Sequence, residues 1–269
     1  LAAHADLPAG RLELEVLETS ALDDVAQVMG AFETCAELGV RIVLDDFGTG
    51  YSSLTYLRRL PAHMLKIDRS FVAGMLDDPD DLAILEGVIG LGNAFRLEIV
   101  AEGVETLEQG ILLLLLGCEL AQGYVIAKPM PGEDLLQWIE QWEPPLSWLG
   151  QRRIRRELLP AVYACVETRA SLLEVERFAS DQREDPPVLD PVGCRLGRWL
   201  ELVRERYSME ARFGKVEAAY LRLIEAVGKV MESARSGKAD GSALADLVTV
   251  REETTRHLFE LLDELGRRS

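Results

Sequence analysis

Along the first half of the chain, short runs of branched apolar residues alternate with stretches whose apolar residues recur every three or four positions. The runs are LELEVLE (12–18), VRIVLDD (40–46), HMLKID (63–68), LEIVAEG (97–103) and AQGYVI (121–126). Each has the length of a strand and is close to continuously apolar, the pattern of strands covered on both faces of a parallel sheet. Between them lie amphipathic segments at 22–38 (closing at Gly39), 80–93, 106–116 (closing at Gly117) and 133–142. Strand, helix, strand repeated at this spacing predicts βαβ units.

The rhythm changes after residue 142. Paired prolines in QWEPPLSWLG (141–150) stop a helix and read as a linker or interdomain wedge. Beyond it, apolar residues at i, i+3, i+4 and i+7 predict helices over 151–184, 194–207, 213–236 and 241–267, as in VEAAYLRLIEAVGKVM. The breakers REDPPVLDPVG and RSGKADGS separate them, so an antiparallel four-helix bundle is expected. The fold class is therefore α/β followed by all-α. The domains expected are 1–142, a linker at 143–152, and a helical domain at 153–269.

Composition narrows the function. The 269 residues are 48% hydrophobic and 28% charged, as in soluble globular proteins, and the net charge is -17. That charge opposes nonspecific binding to nucleic acid or an anionic membrane, so an anionic ligand would need local cations or a metal. Cys35, Cys118, Cys165 and Cys194 form no CxxC pair, which fits free thiols in a reducing cytoplasm. The longest apolar run, ILLLLL (111–116), is far short of the ~20 residues of a membrane span, and no signal-peptide pattern is present. The start at Leu1 reads as a piece of a longer protein.

Charged residues gather at the carboxyl ends of the predicted strands: Glu15, then Asp45 and Asp46, then Lys66 and Asp68, then Glu102. In α/β barrels and open parallel sheets that edge carries the active site. Any one acid there reads as a turn or a helix cap. Acids at four successive strand ends, with a lysine among them, predict a site. Adjacent aspartates suit Mg²⁺ or Mn²⁺, and a metal pair can activate water for in-line displacement at phosphorus. By contrast, GTGYSSL is weak evidence for a nucleotide loop on its own, and LRRL (57–60) and GQRRIRRELL (150–159) read as solvated helix faces.

In order and spacing, LELEVLE, LDDFGTGYSSL, LKIDRSFV, IVAEGVET and AQGY…KPMP resemble the EAL-type cyclic di-GMP phosphodiesterases over residues ~11–135. The resemblance implies a TIM-like barrel that opens cyclic di-GMP to pGpG with Mg²⁺ or Mn²⁺. It implies that Glu15, Asp45 and Asp46 are metal ligands. It also implies that Lys66 holds the attacking water, and that Glu102 binds metal or serves as the base. Glu18 and Glu105 would brace the loop Phe47–Leu54, which in that family closes over the metals and shapes a homodimer. Asp68 and Gln122 would lie beside the ligand.

Two departures qualify this. Leu17 replaces the family's threonine between the two glutamates of the first motif. The Glu-Ala-Leu signature and a downstream metal-binding asparagine are absent, which the reading attributes to missing N-terminal strands: about five strands here, against eight in ~250 residues for a whole barrel. Weak or no hydrolysis by this chain alone is therefore expected. The rival readings are a non-catalytic cyclic di-GMP receptor, a signalling scaffold, or another TIM-barrel metallohydrolase.

In the second half, CRLGRWL resembles the cysteine element of chemoreceptor zinc-binding helical bundles, a resemblance covering ~160–267. Thr168, Tyr220 and Ile224 stand where that family has zinc-binding histidines. Only Cys194 remains, so no zinc is expected, and Cys194 reads as a small buried hydrophobe or a redox-sensitive thiol.

Overall fold

The computed structural model describes residues 8–18, 25–50, 57–58, 60–149, 158–181, 194–236 and 241–267. They form two compact units: Leu1–Gly74 with Asp80–Leu149, and Met75–Pro79 with Gly150–Ser269.

The first unit is a parallel sheet of β1 (Glu13–Leu17), β2 (Arg41–Phe47), β3 (Met64–Ile67), β4 (Glu98–Ala101) and β5 (Leu120–Ala121), in that spatial order. Its helices are α1 (Val25–Glu37), α2 (Arg69–Gly74), α3 (Pro79–Phe95), α4 (Leu107–Leu116) and α5 (Leu135–Gln141). The central strands are covered on both faces: Ile42, Val43 and Leu44 are consecutive buried residues, as are Leu65, Lys66 and Ile67 across the ladder. The edge strand β1 differs, with Leu14 and Leu17 exposed.

Local signals explain the helix ends. Thr106 caps α4 and forms a capping box with Gln109, and Gly117 ends the helix at φ 89°. Within α4, Ile111, Leu112, Leu113, Leu115 and Leu116 are all buried, which accounts for its nearly uniform hydrophobicity. The segment after α5 folds back onto this helix. The Trp148 indole Nε1–H donates to the Leu107 carbonyl at 3.0 Å, and a Cβ on Gly110 would come within 2.2 Å of the Trp148 ring.

Two expectations need correction. The strand anticipated at 121–126 is only Leu120–Ala121, because the Ile126 and Ala127 amides both donate to the Gly123 carbonyl and turn the chain out of the sheet. Helix α2 went unanticipated because six residues are too few to display a helical period.

In the second unit α6 (Leu159–Asp181), α7 (Arg195–Tyr207), α8 (Ala211–Arg235) and α9 (Gly241–Arg267) pack on one another. α8 lies along α9, and α6 touches all three of its fellows. Val162, Val166, Phe213, Leu223, Phe259 and Leu261 are among the buried apolar residues. Arg169, only 4% exposed, is the polar centre. It donates to the Leu76 carbonyl (2.9 Å), Asp77 (2.8 Å), Glu252 (3.0 Å) and the Thr255 hydroxyl (2.9 Å). A buried guanidinium requires such saturation.

Candidate metal and phosphodiester site

The paired aspartates sit on a bulge. Leu44 pairs with Leu65 and Phe47 with Ile67, so Asp45 and Asp46 together face the single residue Lys66 of β3. Adjacent strand residues ordinarily point to opposite faces. Here Asp46 takes φ 52°, the left-handed region that aspartate tolerates better than most residues. One oxygen each of Asp45, Asp46 and Glu102 lies within 4.8 Å of the others.

Lys66, 8% exposed, stands among these acids. Its Nζ lies 3.0 Å from Glu15, 3.2 Å from Asp45 and 2.5 Å from Glu102, side chains contributed by β1, β2 and the loop after β4. Asp45 Oδ1 is buried and makes no well-formed hydrogen bond, so Lys66 reaches it as a charge. Glu102 also accepts from the Gln122 amide at 2.6 Å. Asp68 accepts from the Ser70 amide at 2.8 Å and from the Ser70 hydroxyl.

Glu18 is 3% exposed and accepts from the Gly48 (2.8 Å) and Gly50 (3.3 Å) amides, directly after the bulge. Glu105 lines the neighbouring cavity. Residues 51–54 of the loop they were expected to brace lie outside the described residues.

Burial opposes the charge on Lys66, but its contacts with the Glu102, Glu15 and Asp45 carboxylates outweigh that and raise its pKa above the ordinary lysine value. It is an ammonium at neutral pH and serves only as a donor. Asp46 is pushed up from the ordinary aspartate value by burial and then by the negative charges of Asp45 and Asp68. Asp68 is held down: burial works against its charge, and the two Ser70 hydrogen bonds overcome it. Asp46 is thus more inclined than Asp68 to keep a proton.

Beside the acids opens a cavity of about 720 Å³, lined among others by Arg69, Glu102, Gln122, Tyr124, Lys128 and Trp138. Of these, Arg69, Tyr124, Lys128 and Trp138 escaped the sequence reading. Arg69 directly follows the KID motif and Tyr124 closes AQGY, so adjacency to a motif was the available signal.

In the second unit, Cys194 accepts at Sγ from the Gly197 amide, lies 3.0 Å from the Tyr220 hydroxyl, and receives a longer 3.8 Å contact from Thr168. Ile224 lines the same small apolar pocket. The described helices include none long and apolar enough to cross a membrane.

Residues 1–129 match the family model described as the EAL domain. Over 130 residues the chain is 48% identical to the bifunctional diguanylate cyclase/cyclic di-GMP phosphodiesterase MucR of Pseudomonas aeruginosa, covering 48% of this chain and 19% of that protein. Over 152 residues it is 42% identical to the cyclic di-GMP phosphodiesterase NbdA of the same organism, covering 55% and 19%. Among solved structures, the PaMucR phosphodiesterase in complex with c-di-GMP shares 47% identity over 49% of this chain and 54% of that one, with a TM-score of 0.48. The chain spans about a fifth of the length of the curated relatives it matches.

Proposed function

We propose that residues 1–142 are a divalent-metal-dependent phosphodiesterase domain that opens cyclic di-GMP to pGpG, followed by a regulatory four-helix bundle at 153–269. The observation that carries this is the convergence of Asp45, Asp46 and Glu102 with Lys66 beside a cavity that offers both cations and aromatic faces. The relatives named for cyclic di-GMP hydrolysis support the choice of substrate.

The residues fit a hard divalent cation. Of five carboxylates at the site, Glu15, Asp45 and Glu102 contact one ammonium, Asp46 and Asp68 stand beside them, and a buried Asp45 oxygen lacks a well-formed hydrogen bond. Glu15, Asp45, Asp46 and Glu102 would hold Mg²⁺ or Mn²⁺, which when bound polarises the phosphoryl oxygen and lowers the pKa of a coordinated water. Lys66, charged throughout, orients the attacking oxygen and steadies developing negative charge. Base duty falls to a carboxylate, and Glu102 is positioned for it. Asp68 and Gln122 hold the neighbours of that carboxylate set in place beside the ligand. Arg69 and Lys128 supply local positive charge for the phosphodiester, and Tyr124 and Trp138 supply faces for purine stacking.

The same reading includes a homodimer formed through the loop after Asp46, braced by Glu18 and Glu105, in the cytoplasm. It also includes a zinc-free bundle derived from a chemoreceptor-type sensor, because Thr168, Tyr220 and Ile224 bring no imidazole to Cys194. Zinc at one equivalent per chain after purification without added metal would refute that last part.

One observation favours a non-catalytic receptor instead: Lys66 alone already contacts three of the five carboxylates. The test is calorimetry of the chain with cyclic di-GMP and Mn²⁺, with pGpG followed by chromatography. Turnover that is abolished in Glu102→Ala supports the enzyme. Metal-dependent binding without turnover supports the receptor, and absence of binding defeats both.

A further inference from the structure

We infer that Gln109 is a positioning residue for the acid cluster, a role beyond its part in the α4 capping box. The inference rests on the metal-site reading above.

Glu102 stands at the start of the loop from β4 to α4. The sheet side of that loop is fixed by backbone bonds: Glu102 N–H to the Ile67 carbonyl (3.2 Å) and Val104 N–H to the Gln122 carbonyl (3.0 Å). A Cβ on Gly123 would lie 2.1–2.6 Å from Val104 backbone atoms, so the two backbones are in close contact there. The helix side depends on one side chain. Gln109 Oε1 accepts from both the Glu105 amide (2.9 Å) and the Thr106 amide (3.0 Å). Its Nε2 donates to the Val72 carbonyl at 3.0 Å.

Val72 belongs to α2, the short helix that begins directly after Asp68. Asp68 in turn stands close enough to Asp46 for the two carboxylates to repel each other. The Gln109 amide therefore joins the loop bearing Glu102 to the helix that follows Asp68, tying both flanks of the acid cluster to α4. It is 6% exposed, so these bonds have little competition from water. A capping box needs only the bond between the Gln109 side chain and the cap amide. The additional bonds to Glu105 and Val72 require an acceptor and a donor on one rigid group, which a carboxamide provides and a hydrocarbon does not.

The experiment uses the whole chain and Mn²⁺ alone, titrated by calorimetry well below each variant's melting temperature. Gln109→Met, similar in size but apolar, should weaken Mn²⁺ binding by ~10–100-fold, the range typical for groups that orient metal ligands. Gln109→Asn, one methylene shorter and safer for folding, should also weaken it by ~10-fold on the same basis. Thr106→Ala removes the cap hydroxyl and leaves the Gln109 bonds intact, so it should lower the melting temperature while keeping Mn²⁺ affinity within about twofold, because a cap acts on helix stability. Wild-type affinity in either folded Gln109 variant overturns the inference, as does an equal loss in Thr106→Ala. A wild-type chain that takes up no Mn²⁺ overturns the metal-site reading and the inference together.

Discussion

Replacing Lys66 by methionine should destabilise the metal-free first unit far more than the metal-loaded one. Lys66 Nζ stands 2.5–3.2 Å from carboxylates of Glu15, Asp45 and Glu102. At an effective dielectric constant of ~20, each unit pair at ~3 Å has a gross attraction of ~5 kcal/mol. Most of that is offset by the desolvation of the ions, and leaving a buried charge unpaired typically costs ~3–5 kcal/mol. Glu15 is 52% exposed on its side chain and water screens its share, so ~2–3 kcal/mol is the expected loss in EDTA at pH 7. Methionine fills similar volume and adds little cavity penalty. Urea unfolding in a Trp199→Phe background would isolate this unit, since Trp138, Trp142 and Trp148 all lie within it. Saturating Mn²⁺ should at least halve the gap, because the cation takes over neutralisation. An equal gap with and without Mn²⁺, or none in EDTA, would refute the electrostatic account.

Three further outcomes follow from the packing and the ionisable groups. Gly110→Ala places a methyl 2.2 Å from the Trp148 ring, so the ring should leave α4, with a red-shifted fluorescence and a loss of ~1–3 kcal/mol; an unchanged spectrum contradicts the packing. Arg169→Met leaves Asp77, the Leu76 carbonyl and the Thr255 hydroxyl without their donor while Glu252 keeps Arg251, and ~1–3 kcal/mol of the second unit's stability should go; near-neutral behaviour in thermal melts would show the network contributes little. Burial pushes the Cys118 and Cys165 thiols from 9.0 up to about 11. Each folded thiol keeps the proton that the unfolded chain releases, so stability is fully present below pH 9 and declines between pH 9 and 11. The slope is up to ~1.4 kcal/mol per pH unit per thiol. Cys118→Ala should flatten that decline in the first unit, and an unaltered slope would contradict the assignment.

The sequence exposes whatever depends on local pattern. The apolar runs at 40–46 and 63–68 became β2 and β3, and Thr106, Gln109 and Gly117 mark both ends of α4. The acids were visible too, because residue type and position at strand ends are one-dimensional facts. What remained hidden depends on register or distance. Nothing in RIVLDDFGTG distinguishes a regular strand from one whose Asp45 and Asp46 share a face, since the bulge exists only relative to Lys66 on β3. Segment 151–184 displayed an amphipathic helix but not that Arg169 would be buried, because its partners lie 83–93 positions away. Gln109 sits at the capping-box position three residues after Thr106, and its third bond, to Val72, spans 37 positions.

The bulge makes the acid pair a matter of counting as well as chemistry. In a strand of alternating faces, the bulge absorbs the extra residue, so Phe47 still meets Ile67 and Gly48 arrives under the Glu18 carboxylate. Deleting either aspartate would remove one negative charge and the bulge itself, leaving a single acid opposite Lys66 with Phe47 still paired to Ile67. Substitution can tune this site gradually, whereas a single-residue deletion would dismantle it at once. Chains built on this sheet can therefore change the chemistry of residues 45 and 46 but not their number.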